Sequence, residues 1–157
     1  MKKDEYWLKD SNNIHSVCEK AIFTYGAEHQ KIKAQEEIGE LIEALSNSLL
    51  SRDHNVEEEM ADVFIMLCQL KKMYQVDSEV KAYRPLPVAL EDLLIAINIL
   101  SKLSQAISRQ LIGDEHDVEK QIINAETILL RIMDGWNAEK IDQFIYAKLE
   151  RLAGIIW

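Results

Sequence analysis

Gln35-Glu36-Glu37-Ile38-Gly39-Glu40-Leu41-Ile42-Glu43-Ala44-Leu45, a polar decapeptide, and then Val56-Glu57-Glu58-Glu59-Met60-Ala61-Asp62-Val63-Phe64-Ile65-Met66-Leu67-Cys68-Gln69-Leu70 decide how this chain folds. Both segments carry one phrase, acidic, apolar, tiny, acidic, apolar, apolar, at Glu37 to Ile42 and again at Glu59 to Phe64. At about 100° per residue, Ile38, Leu41, Leu45 and Leu49 fall on one stripe, as do Met60, Val63, Leu67 and Leu70. Two amphipathic helices follow, each with its stripe toward a core. On both wheels the first acid, Glu37 or Glu59, borders the stripe, and the second, Glu40 or Asp62, lies one step further round. Packing these helices together gathers four carboxylates. Their mutual repulsion is relieved by protonation or by bound cations, and oxygen-only ligands suit Mg²⁺ or Mn²⁺ better than zinc or copper. Gly39 stands inside the first helix, where glycine costs about 1 kcal/mol relative to alanine, so a close approach or empty space is expected there.

Around this stretch, 157 residues of which 48% are hydrophobic suffice for one well-buried domain spanning 1–157. Five glycines, two prolines and apolar spacings of three and four nearly throughout predict an all-α helical bundle. The formal charge of −9 argues against nucleic-acid polymers and anionic membranes as partners. Cys18 and Cys68 form no CxxC pair, and no apolar run reaches the roughly 18 residues of a membrane span. No signal-type apolar core follows Met1. A soluble, cytoplasmic protein is expected.

The first ten residues are charged and read as loosely held, with Tyr6, Trp7 and Leu8 able to dock. Helices are predicted from about Asn13 to Tyr25, from Ala27, from Asn55 as N-cap to about Tyr74, from Val88 to Leu111, from Val118 to Asp134 and from Ala138 to Leu152. Gly26, Gly113 and Gly135 are read as stops, and Gln75 to Pro87 as the one clear break. The apolar tail Ile155-Ile156-Trp157 is expected to dock. Levelling the acids poses a difficulty. Glu40 would lie about 15 Å from the end of a helix reaching Leu50, but Glu59 only about 5 Å from the start of the next. The second helix should therefore stop near Ser46 to Leu49, with the polar link running back along the bundle.

Sliding the chain by 62 residues brings Leu41, Ala44, Ser46, Leu49, His54, Val56, Glu57 and Leu67 onto Leu103, Ala106, Ser108, Leu111, His116, Val118, Glu119 and Leu129. Glu37, Glu40, Glu59 and Asp62 meet Ile99, Lys102, Gln121 and Asn124. We read two tandem hairpin-like halves, the second degenerate: 14–74 keeps the acids, and 75–157 holds a decayed copy and a closing helix.

Glu37-x-x-Glu40, eighteen intervening residues and Glu59-x-x-Asp62 resemble the signature of the MazG-like, all-α nucleoside triphosphate pyrophosphohydrolases, which include the dimeric dUTPases. The run from Gly26 to Leu41, Ala61 to Lys71, and loosely Lys148-Leu149-Glu150-Arg151-Leu152 are similar to that family as well. The resemblance implies Mg²⁺-dependent hydrolysis of dUTP or another standard or non-standard nucleoside triphosphate to a monophosphate and pyrophosphate. Glu37, Glu40, Glu59 and Asp62 would then be metal ligands. Glu36 or Glu58 would be the candidate catalytic base, although a solvated neighbour is the reading we favour for both. Lys33 is a candidate substrate contact, with an ordinary helix salt bridge to Glu37 the stronger reading, and Lys148 and Arg151 are candidate phosphate contacts. A homodimer is expected by analogy with that family. Phosphoribosyl-ATP pyrophosphohydrolase, and an acidic metal-binding, nucleotide-binding or protein-interaction module without catalysis, are the rivals.

No base pocket is legible. Trp136, Trp157 and Tyr74 are candidates to stack on a base but read more readily as core. His15, His29, His54 and His116 form no metal-spaced cluster and are read as surface or capping residues. No ExxH, GxxxxGK[ST], GxSxG or HExxH is present.

Overall fold

A single glycine separates the first two helices of the computed structural model, which describes residues 3–77 and 86–156, with side chains from Ile14 onward. Gly26 takes φ 92°, a conformation costly for any residue with a Cβ, and the chain breaks there between α1 (Lys3–Tyr25) and α2 (Ala27–Leu49). α1 begins ten residues earlier than its apolar periodicity shows. Lys3 to Asn13 contains neither proline nor glycine, so nothing in its backbone stops a helix that propagates from the packed end. The docking expected of Tyr6, Trp7 and Leu8 lies outside the described side chains.

α2 ends at Leu49 and α3 (Val56–Met73) starts after a link of six residues. Six linking residues span up to about 20 Å when extended, ample to offset the difference of about 9 Å between the two acid-to-terminus lengths. The stripes behave as read: Ile38, Leu41 and Leu45 are buried with Met60, Val63, Leu67 and Leu70, and Leu49 packs half-buried at the edge.

α4 (Leu90–Leu111) and α5 (Val118–Trp136) repeat this hairpin bond for bond. At the first turn Leu50 N–H donates to Ser46 O (3.0 Å) and Arg52 N–H to Asn47 O (2.8 Å); at the second, Ile112 donates to Ser108 (3.2 Å) and Asp114 to Arg109 (2.8 Å). The left-handed residue is Ser51, φ 56°, in one and Gly113, φ 80°, in the other. Asn55 and Asp117 precede α3 and α5 with the same backbone, φ −125° and ψ 44° or 41°. Each of these pairs is separated by the 62 residues of the sequence repeat.

α3 is the central rod, packed on α1, α2, α5 and α6, while α2 lies against α4 and α6 (Ala138–Ile156) crosses α1 and α3. Lys71 on α3 pairs with Glu126 on α5 at 2.8 Å, tying the halves together. Among the described residues there are six helices and no strand, and no helix is long and apolar enough to cross a membrane.

Gly135, read as a stop, is not one, and the last helix passes the predicted end at Leu152. α5 runs through Gly135 to Trp136, and α6 runs through Gly154 to Ile156. A Cβ on Gly135 would collide with the Leu86 carbonyl oxygen, so that glycine admits the segment leading into α4. The same carbonyl and that of Pro87 accept from the Arg131 guanidinium at 3.2 and 3.3 Å. Of the apolar tail, Ile156 is buried and Ile155 exposed, and Trp157 lies outside the described residues, as do Arg84 and Pro85 of the predicted break.

Candidate metal centre and its cleft

Lys33, Glu37 and Glu40 recur at four and three residues on one face of α2, and Glu59, Asp62 and Gln69 share the facing side of α3. Carboxylate oxygens from Glu37, Glu40 and Glu59 lie within 4.8 Å of one another. Asp62 stands beside them but is held by α6: its Oδ1 is 2.9 Å from Lys148 Nζ, which also reaches Glu58 Oε1 at 3.4 Å. Lys33 Nζ lies 3.1 Å from Glu37 Oε1 and 3.3 Å from Glu36 Oε2, the helix salt bridge expected of it. Asn55 occupies the N-cap position without capping. Its Nδ2 donates to Glu59 Oε1 at 2.8 Å, and the His54 ring nitrogen accepts from Val56 N–H at 3.3 Å in its place.

The carboxylates are charged at a cost. Burial, then the neighbouring charges of Asp62, Glu40 and Glu37, pushes Glu59 up to about 7 against the pull of the Asn55 hydrogen bond. Burial and then Asp62 raise Glu37 despite Lys33, and burial raises Asp62 despite Lys148. Burial works to lower Lys148, yet its hydrogen bond and charge contacts with Asp62 and Glu58 leave its pKa raised. Oε2 of Glu37 and Oε2 of Glu59 are buried with no hydrogen-bond partner among the described residues, and Glu59 as a whole is 8% exposed. Two bare, inward-facing carboxylate oxygens inside a cluster of hard oxygen donors fit a divalent cation of the Mg²⁺ or Mn²⁺ type.

Lys33, Glu37, Glu40, Glu58, Glu59, Asp62, Lys148 and Arg151 all line one cleft of about 550 Å³. Glu36 does not. Its side chain is 58% exposed and paired with Lys33. Trp136 packs edge-on against His54 with centroids 5.9 Å apart, and Tyr74 lies under Lys31 Nζ at 4.6 Å; neither lines this cleft.

The other end of the cleft went unread in the sequence. His29 is exposed, as its surface reading expects, and it stacks on Tyr25 with centroids 5.6 Å apart; both line the cleft with Gln30 and Gln69. Gln30 lies seven residues before Glu37 and Gln69 seven after Asp62, so the helical repeat that aligns the acids aligns the amides. That signal lay in the chain, but two glutamines on separate helices gain meaning only when the helices are antiparallel and in register. No known protein family, curated protein or solved structure matches the chain.

Proposed function

We propose that the protein hydrolyses a nucleoside triphosphate, dUTP or another standard or non-standard nucleotide, to the monophosphate and pyrophosphate with Mg²⁺ or Mn²⁺. The observation that carries it is the convergence of Glu37, Glu40 and Glu59 within 4.8 Å, with two buried carboxylate oxygens left unpartnered, in a cleft whose α6 wall brings Lys148 and Arg151. The MazG-like spacing of the same acids supports it. Bound divalent cations supply neutralisation of phosphate charge and a lowered pKa for an attacking water. Glu37, Glu40 and Glu59 would hold the cation, with Asp62 beside them as a further ligand, and Lys148, now paired with Asp62, would contact phosphate. Arg151, exposed at the cleft edge, binds the outer phosphates. Of the two base candidates Glu58 alone reaches the cleft, so Glu58 is retained to orient water. The reaction belongs in the cytoplasm, where Cys18 and Cys68 stay free thiols, and the working assembly is a homodimer.

The ion pairs Lys33–Glu37 and Lys148–Asp62 favour a second reading, binding of metal or nucleotide without turnover. Incubating the protein with Mg²⁺ and a panel of nucleotides, phosphoribosyl-ATP included, while following pyrophosphate separates the two. Turnover of one class with release of pyrophosphate supports hydrolysis; saturable binding with no pyrophosphate replaces it with the second reading. Glu40→Gln lowers release at least about 100-fold, the scale of losing one preorganised charge contact, with the helical circular-dichroism signal unchanged.

A further inference from the structure

Two helical turns from the acids, about 10 Å along both α2 and α3, the cleft holds a chain of hydrogen bonds that no part of the metal chemistry uses. Gln30 and Gln69 are 4% and 1% exposed, and Gln30 Nε2 donates to Gln69 Oε1 at 2.8 Å. Gln30 Oε1 in turn lies 2.8 Å from His29 Nδ1. An amide oxygen carries no hydrogen, so this contact places the imidazole proton on Nδ1, donating to Gln30. The chain thus has a direction: imidazole N–H to amide carbonyl, amide N–H to the next carbonyl, and the Nε2 hydrogens of Gln69 last. Gln69 nonetheless lines the cleft. Reversing either amide alone would set N–H against N–H or carbonyl against carbonyl, so the direction holds as a unit and each bond polarises the next. Tyr25, stacked on His29, flanks this end with a flat apolar surface.

We propose that the Gln30–Gln69 amide pair is the base-recognition element of the cleft, with the Gln69 amide N–H donating to a ring carbonyl, and that the protein therefore prefers carbonyl-bearing bases over their amino counterparts. The inference rests on the nucleotide reading of the acidic end, since it is phosphates held there that bring a base two turns away. An amino-bearing base turns N–H toward N–H and leaves the buried Gln69 donor unmet, a discrimination of about tenfold or more. Uracil and cytosine differ at one ring position in this respect, as do hypoxanthine and adenine.

The test is equilibrium titration of the full chain in Mg²⁺ with non-hydrolysable α,β-imido analogues of dUTP, dCTP, ITP and ATP, and with inorganic pyrophosphate as the phosphate-only probe. Wild type should favour the carbonyl member of at least one pair by about tenfold. Gln69→Met should abolish the preference while pyrophosphate affinity stays within about twofold. Gln69→Glu, which keeps the bond from Gln30 but turns an acceptor to the ligand, should invert the preference toward the amino base, which an amide pair serving only to tie α2 to α3 would not do. Equal binding of both members by wild type, or an unchanged preference in both variants, overturns base reading while pyrophosphate binding preserves the phosphate site. If neither the analogues nor pyrophosphate bind in Mg²⁺, the nucleotide reading falls and this inference with it. Should Gln69→Met fail to fold, Gln69→Glu and the wild-type pairs decide the matter.

Discussion

Burial and three neighbouring acids oppose the charge of the Glu59 carboxylate. Its pKa rises from the ordinary 4.5 to about 7 in the folded chain. Between those values the folded protein binds more protons than the unfolded one, so this group lowers stability as pH climbs from about 4.5 to about 7, and the loss is complete above that. Without divalent cations, Glu59→Gln should therefore melt above wild type at pH 8, by roughly 2–4 °C for each kcal/mol of repulsion removed. The gap should close below pH 4.5, and scanning calorimetry across that range reads it. Equal melting at pH 8 would mean that Glu59 is not under strain. Adding Mn²⁺ should raise wild type and not the variant, because only wild type binds it tightly. The same proton makes binding pH-linked: calorimetric titration of Mn²⁺ at pH 7 in buffers of different ionisation enthalpy should show proton release, reduced in Glu59→Gln. Single residues were legible here where one helix face carried the message, as for Glu37 with Glu40. Glu36 and Glu58 hold equivalent places in the two phrases, and it took the packing of α6 through Lys148 to put one in the cleft and leave the other in solvent.

Two mid-helix glycines test what the elements themselves need. A Cβ on Gly39 would meet nothing within 4 Å, since that residue opens onto the groove between α2 and α4 beside Ser101, Ser104 and Gln105. Of the two explanations for a glycine in α2, empty space holds and close approach does not. Gly39→Ala should gain about 1 kcal/mol of helix propensity, some 2–4 °C in melting temperature, with pyrophosphate release unchanged. Gly135→Ala should do the reverse. Its methyl must displace the Leu86 backbone, at a cost of about 1–3 kcal/mol read as a fall in melting temperature. Both glycines look alike in the sequence as interruptions of an apolar period. Their opposite consequences come from whether another segment of backbone passes close by, which no local pattern encodes. The start of α1 was missed for a related reason: residues 3–13 carry no apolar spacing of three and four, and periodicity reports a helix only where such spacing exists.

Over the whole molecule, α2 and α3 supply the acids and amides of the cleft, and α6 closes over them through Lys140–Glu57 at 3.6 Å and Lys148–Asp62. We expect a dimer mass by light scattering at micromolar concentration; a monomer mass would remove the homodimer from the proposal and leave the cleft whole. The second hairpin keeps the first one's turn geometry while Gln121 stands where Glu59 does. The i to i+4 bond survives with its direction reversed, Gln121 Nε2 donating to Asp117 Oδ2 at 2.9 Å where Asn55 donates to Glu59. The two halves thus share turn geometry and differ in charge.

By itself the sequence determined six helices, the buried stripes, the repeat of 62 residues and the four acids, because helical period and side-chain polarity are written residue by residue along the chain. The tertiary structure alone decided that Glu37, Glu40 and Glu59 converge while Asp62 is held by Lys148, that Glu58 faces the cleft and Glu36 does not, and that Gln30 meets Gln69. Those outcomes depend on the register and rotation of one helix against another, and a side chain's turn of about 100° per residue separates a ligand from a solvated neighbour.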